Sequence, residues 1–268
     1  VAVVSQTCDA SQGSRPNIQV APIVELQGRD QQEASTGKRP RFVPLPQLGE
    51  SFFADLDVIT TVVKTALVGY LRRAGVVSDD EVRKFAFAVS RKFGRFAYPD
   101  EVVRALAPVR DVLQTKARKL NTPVGKLLTA VHSFRVSCED WEKTPYELTL
   151  IVITGPGVVP SEVDDIGAPP VGLAEPDPRT PLKPQVNAYV DYLTEGSRTP
   201  TETFFGWEYL ITAWALQCEE AARGLADPAV IETVMSDLAS VDDFPLARVL
   251  DSESLDLDYL SESRKASD

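Results

Sequence analysis

At 268 residues, 43% hydrophobic and 25% charged, the chain has the composition of a soluble globular protein of one large domain or two ordinary ones. No apolar run approaches the length of a membrane span, so a membrane protein is not expected and cytoplasm is the expected location. The net charge of -11 hides an asymmetry: residues 1–154 sum to +4, residues 155–268 to -15, and residues 72–135 alone to +8, so only the middle of the chain suits a polyanion.

In chain order, Val1–Gln6 reads as a strand ending in the polar turn Thr7-Cys8-Asp9, and Ile18–Val24 as a second strand. A long polar loop is expected from Gly28 to Lys38. Arg41–Pro46 then leads into a third strand-like element, Asp55–Lys64. Ser78-Asp79-Asp80-Glu81 has the spacing of a capping box and opens a helix. On that helix Val82, Phe85, Val89, Phe93 and Phe96 share one face. Lys84, Arg91 and Arg95 fall within about 40° of one another on the opposite face. Pro99 ends it, and Asp100 caps a further helix running toward Leu120. Thr122-Pro123 marks another start, with Pro at the first helical position.

The period then changes to that of strands. Val131–Cys138 and Tyr146–Thr154 read as a pair joined by a turn over Glu139–Pro145. Residues 155–184 form a Pro-rich loop. Beyond it, Val186–Leu193, Thr203–Ala222 and Pro228–Val241 are expected to be helical, the last opened by Asp227-Pro228. The end alternates acidic and apolar residues. Leu255, Leu257 and Leu260 oppose Asp256, Asp258 and Glu262, a pattern for docking in cis or on a partner near the basic region, and Ser261–Asp268 read as a tail.

The order of the first elements resembles that of the PemK/MazF toxins, RNA endonucleases with a small SH3-like barrel. The resemblance covers about residues 1–70. It rests on Ser5-Gln6-Thr7-Cys8-Asp9 at the end of the first strand, Val20-Ala21-Pro22-Ile23 in the second, and Asp57-Val58-Ile59-Thr60-Thr61-Val62-Val63-Lys64 as the later element. It implies an SH3-like barrel over residues 1–75 and metal-independent RNA cleavage, without cofactor, in a bacterial toxin–antitoxin or phage-defence setting. The family's catalytic Thr falls on Thr61. Its neighbouring Arg is Thr60 here and its second Asp is Val63, while an Arg beside the first strand has no counterpart in the chain. Arg41, with Arg39, is the candidate substitute, since a planar guanidinium suits a phosphate in the transition state. The alternative is a nucleic-acid- or protein-binding module that keeps the barrel and has lost the active site.

Other readings of the residues remain open beside this one. Cys8 and Asp9, in a turn, form a candidate nucleophilic site, for which His132, the single histidine, is the sole histidine base. Asp55 and Asp57, two apart on a strand, would face one side and with Asp9 or Glu25 form a candidate Mg²⁺ site. Cys8, Cys138 and Cys218 are too widely spaced for a zinc site, and Cys138 and Cys218 are expected to be buried thiols. For RNA or DNA, the candidate contacts are Lys84, Arg91, Lys92, Arg95 and Arg104. The fold expected is α+β: an N-terminal SH3-like small β-barrel (1–75), a basic helical segment (76–130), and a second α+β portion (131–268).

Overall fold

The computed structural model describes residues 1–5, 7–35, 39–94, 96–117, 119–161 and 166–255, without the side chains of Thr7, Cys8 and Arg91. The architecture is mixed α+β, and contacts divide the chain into a first unit built on Val1–Arg95 and a second on Phe96–Leu257. The helical segment expected over 76–130 is shared between them. Its first helix belongs to the first unit, and the helices that follow belong to the second.

The first unit runs β1 (Ala2–Val3), α1 (Thr7–Ser11), β2 (Asn17–Ala21), β3 (Ile23–Glu25), α2 (Gly28–Ser35), β4 (Phe42–Pro44), β5 (Phe52–Asp55), β6 (Thr60–Val63) and α3 (Asp79–Phe93). Its strands make two antiparallel three-stranded sheets, in the orders β1-β2-β6 and β3-β5-β4, neither closed into a barrel. Pro22 is the switch between them. It has no N–H to continue the ladder, but its carbonyl accepts the amide of Asp55 at 2.9 Å, so the chain leaves one sheet after Ala21 and enters the other at Ile23.

Asp55 breaks the element expected to run unbroken from 55 to 64. Its carboxylate accepts the Asp57 amide at 3.0 Å and caps a 3₁₀ turn over Leu56–Val58, after which the chain joins the other sheet as β6. The segment expected as a loop from Gly28 is helical to Ser35. An Arg29–Glu33 pair spans one turn and Ala34 is buried, while the rest of that expectation, residues 36–38, lies outside the described residues.

Ala21, Val43, Leu45, Ala54 and Leu56 form the core between the sheets, and Phe85, Ala88 and Val89 of α3 pack against it. The capping box expected at Ser78 is present. Its hydroxyl accepts the Glu81 amide at 3.2 Å, and the Glu81 carboxylate accepts the Ser78 amide at 3.2 Å. Hydrogen bonds from the Val77 and Ser78 amides hold the Glu81 carboxyl below its ordinary range.

The second unit comprises α4 (Asp100–Ala105), α5 (Ala107–Lys116), α6 (Pro123–Leu127), β7 (Val131–Cys138), β8 (Tyr146–Thr154), α7 (Leu182–Thr194), α8 (Pro200–Arg223), β9 (Ile231–Ser240), α9 (Leu246–Leu250) and β10 (Glu253–Ser254). One sheet has the order β10-β7-β8-β9. The β7–β8 pair is the hairpin read from the sequence, and β8–β9 is parallel, joined through α7 and α8. Helix α8 packs on β9 and α7 and buries Trp207, Leu210, Ile211, Trp214 and Cys218; each such large side chain removed from water contributes roughly 1.5–3 kcal/mol.

The helix expected over Pro228–Val241 is a strand. Asp227 caps only the short turn Pro228–Val230, and then the β-branched Ile231, Thr233 and Val234 enter the ladder beside β8. The Pro-rich loop expected over 155–184 ends at Pro181, where α7 begins. No helix among the described residues is long and apolar enough to cross a membrane.

Candidate functional site

The charged centre of the first unit gathers four side chains that the sequence scatters over 52 positions of numbering, from Arg41 to Lys92. Arg41 precedes β4 and faces the end of β5. Its Nε donates to Asp55 Oδ1 at 2.8 Å and a terminal nitrogen to Asp55 Oδ2 at 2.6 Å, a two-pronged pair. The same Nε lies 3.4 Å from Asp57 Oδ2, and Asp57 also pairs with Lys92. Asp55 is buried, and the Arg41 hydrogen bonds hold its carboxyl below the ordinary range against the opposing effect of burial. The guanidinium carbon sits 4.9 Å from the centre of the Phe42 ring.

Lys92 reaches this cluster because it lies on the inward side of α3. It follows Phe85, Ala88 and Val89 at spacings of seven, four and three residues, and those three face the core. Lys92, expected among the nucleic-acid contacts, pairs here with Asp57. The candidate Mg²⁺ grouping of Asp55 and Asp57 with Asp9 or Glu25 is not assembled among the described residues. Asp55 and Asp57 do not share a strand, both face the same guanidinium, and among the described residues no group of three metal-ligating side chains occurs.

Thr61 lies in β6, exposed, opposite Gln19 of β2. On the other side of β2, the Gln19 amide donates to the Ser5 hydroxyl at 2.8 Å, and its carbonyl accepts the Val4 amide at 3.0 Å. Thr61 thus shares a three-stranded sheet with the start of the chain. Among the described residues, no hydrogen bond joins it to Arg41 or Asp57. Asp9 sits in α1 and pairs with Arg15 at 2.8 Å. Lys64, just beyond β6, donates to the carbonyls of Asp9 at 2.9 Å and Gln12 at 2.6 Å, closing the end of α1.

The side chain of Cys8 lies outside the described residues. His132 is exposed on β7 of the second unit, beside a register shift in its pairing with β8. Cys218 is buried as expected, and desolvation pushes its thiol up to about 12; Cys138, expected to be buried, is only part-buried at the end of β7, where its thiol faces the Asp140 carbonyl at 3.4 Å and partial desolvation raises its pKa.

The polyanion candidates fare unequally. Lys84 is exposed and pairs with Asp80 one turn earlier, which raises its pKa. Arg104 is exposed on α4 of the second unit. The Arg91 side chain and Arg95 lie outside the described residues. Sequence reasoning passed over Arg72, Arg73 and Arg83, which are exposed and carry no ion-pair partner among the described residues. It also passed over the neighbouring aromatics: Tyr70 is 78% exposed and Phe87 69%. The signal was available, since Arg83 and Phe87 are one turn apart on α3, off the stripe of Phe85 and Val89.

The chain matches no protein-family model, no curated protein and no solved structure, so the site stands on its own geometry.

Proposed function

We propose that the first unit is a nucleic-acid-binding module, built on an SH3-like arrangement of strands, that has given up ribonuclease chemistry. The observation that carries this reading is the commitment of Arg41 to Asp55 and Asp57. A guanidinium held by two carboxylates has its donors and charge used within the protein and is a poor partner for a phosphate in a transition state. Binding falls instead to Arg72, Arg73 and Arg83, with Phe87 between the basic positions of α3 as a surface for a base to stack on. Such a combination of exposed aromatics and cations suits single strands, whose bases are free to stack.

The test is fluorescence anisotropy with a labelled single-stranded RNA over a range of salt. Replacing Arg72, Arg73 and Arg83 together by Ala should reduce the log–log salt slope by roughly two units, at about 0.7 per single-strand phosphate contact. Phe87→Ala should weaken binding roughly tenfold, within the range for one lost stacking contact. Absence of binding at low salt refutes the reading. Cleavage of the RNA in chelator-containing buffer, abolished by Thr61→Ala, would restore the toxin-type endonuclease in its place.

A further inference from the structure

Three large apolar side chains of the first unit stand almost wholly in water on one turn: Val68 at 79% exposure, Tyr70 at 78% and Leu71 at 81%. After β6 the chain makes a 3₁₀ turn over Lys64–Leu67, and the Val68 amide donates to the Thr65 carbonyl at 3.3 Å. A second turn follows directly. Val68 has φ -66° and ψ 128°, Gly69 has φ 98°, and the Tyr70 amide donates to the Leu67 carbonyl at 3.3 Å. These angles make a type II turn, whose third position needs the positive φ that glycine supplies. A Cβ added at Gly69 would meet nothing beyond its chain neighbours within 4 Å, so the tip stands in open space.

Turns of this type are ordinarily built from Gly, Pro, Asn, Asp and Ser. Here hydrogen bonds hold the backbone while valine, tyrosine and leucine stay hydrated, an apolar display that nothing among the described residues covers. Nucleic-acid binding accounts for Tyr70, whose ring can take a base, but not for Val68 or Leu71, which have no ring to stack on. Arg72 and Arg73 follow at once. Both are exposed and carry no ion-pair partner among the described residues, and the stretch from Lys64 to Arg73 holds three cations and no acid. Consecutive Cα atoms lie about 3.8 Å apart, so both long, flexible guanidinium side chains are tethered beside Leu71.

An apolar tip backed by cations fits the surface of a bilayer that carries anionic headgroups. The aliphatic groups enter the edge of the acyl region, the tyrosine ring lies at the boundary, and the arginines keep their charge among the phosphates, so all five side chains are used at once. The net charge of -11 opposes approach to such a surface. The apolar tip must therefore supply most of the binding, and the arginines the preference among lipids.

We infer that the turn from Leu67 to Leu71 is a membrane-surface anchor. Val68 and Leu71 insert shallowly into a bilayer containing anionic lipid, and Arg72 and Arg73 hold its phosphates. The contact is small and reversible, since stable anchoring takes stronger signals than this. It shares two arginines with nucleic-acid binding but adds the apolar tip, which that binding does not use.

Flotation of the full chain with vesicles tests it, using phosphatidylcholine alone and phosphatidylcholine mixed with phosphatidylserine at about two to one. The chain should float with the mixed vesicles and much less with the neutral ones. Val68→Ser combined with Leu71→Ser should lower that binding by about tenfold or more. Both positions are in open water, so the serines remove no packing. Arg72→Gln combined with Arg73→Gln should lower binding to the mixed vesicles by about thirtyfold, at about fivefold per arginine. In Tyr70→Trp, lipids with brominated acyl chains should quench emission beyond any loss seen in the wild type. The serine pair should leave the salt slope for single-stranded RNA unchanged, so failure of the anchor and failure of nucleic-acid binding are separate results. No flotation at low salt, equal flotation with both vesicles, flotation that survives the serine pair, or no added quenching in Tyr70→Trp would each overturn the assignment. So would a concentration-dependent dimer in sedimentation velocity that the serine pair dissolves, which would give the turn to a second copy of the chain.

Discussion

Replacing Arg41 by Ala separates the structural role of this residue from a catalytic one. The substitution leaves the Asp55 carboxylate buried with only the Asp57 amide as a described partner. Removing one member of a fully buried ion pair typically costs about 3–5 kcal/mol. The Arg41 side chain is 39% exposed, so water reaches the pair from one side and the expected loss is about 2–3 kcal/mol. At ordinary denaturant sensitivities this moves the unfolding midpoint of the first unit by roughly 1–2 M urea.

Tryptophan fluorescence will not see this change, because Trp141, Trp207 and Trp214 all belong to the second unit. The assay is hydrogen exchange under increasing urea, read on peptides covering residues 17–63. Those peptides should lose protection early while the fluorescence transition stays in place. Arg41→Ala combined with Asp55→Asn should be less damaging than the two single changes added together, by about 1 kcal/mol or more.

The pH dependence follows from the same pair. The folded Asp55 pKa is lowered, so its contribution is complete above the unfolded carboxylate pKa, about 3.9, and is lost as pH falls through the folded value. The variant should therefore lack part of the wild-type fall in first-unit stability below about pH 4. Unchanged protection of residues 17–63, or an acid limb identical to wild type, would refute the argument that Arg41 is held for structure.

Further outcomes follow from other contacts. Arg135 of β7 donates from Nε to the Ser252 hydroxyl at 2.7 Å and from a terminal nitrogen to the Val249 carbonyl at 2.7 Å, so Arg135→Ala should raise exchange across residues 246–255 before the rest of the second unit opens. Cys218 should resist iodoacetamide in the native state and react only when the second unit unfolds, as judged by mass spectrometry of peptides, because its thiol is buried and shifted to about 12. Gly125→Ala would set a Cβ 2.0 Å from the Lys119 carbonyl oxygen, so it should lower the fluorescence-monitored stability of the second unit by about 1–3 kcal/mol or more. Gly157→Ala, at a φ of 66° but in open space, should cost less than Gly125→Ala, about 1 kcal/mol, in the same measurement.

What the sequence disclosed was whatever local chemistry decides. The hairpin of β7 and β8 was readable because alternation and a turn specify it without help, and the start of α3 because Ser78 and Glu81 complete each other's hydrogen bonds. The Asp227-Pro228 signal misled, since a good cap starts a turn but the β-branched residues after it had a parallel strand waiting. The role of Pro22 depends on a carbonyl 33 residues from its amide partner Asp55, and the Arg41 cluster depends on α3 returning to the sheets; neither is encoded in a window of a few residues. Leu255 was read as one of the leucines that pack. It is buried, and its amide donates to the Phe134 carbonyl beside β7, while Leu257 and Leu260 lie outside the described residues.

The parallel pairing of β8 with β9 has a consequence for how the chain is made on the ribosome. Thr154 closes β8, but Ile231, the first residue of its partner, follows only after α7 and α8 have been synthesised. At ordinary translation speeds that interval lasts roughly 4–15 s. Throughout it, β8 can pair with β7 on one side while the other edge, carrying Leu148, Leu150, Ile151, Val152 and Ile153, offers free backbone groups flanked by apolar side chains. Nascent chains halted before residue 231 should therefore recruit chaperones or aggregate, and release from both should come abruptly once β9 emerges and closes that edge.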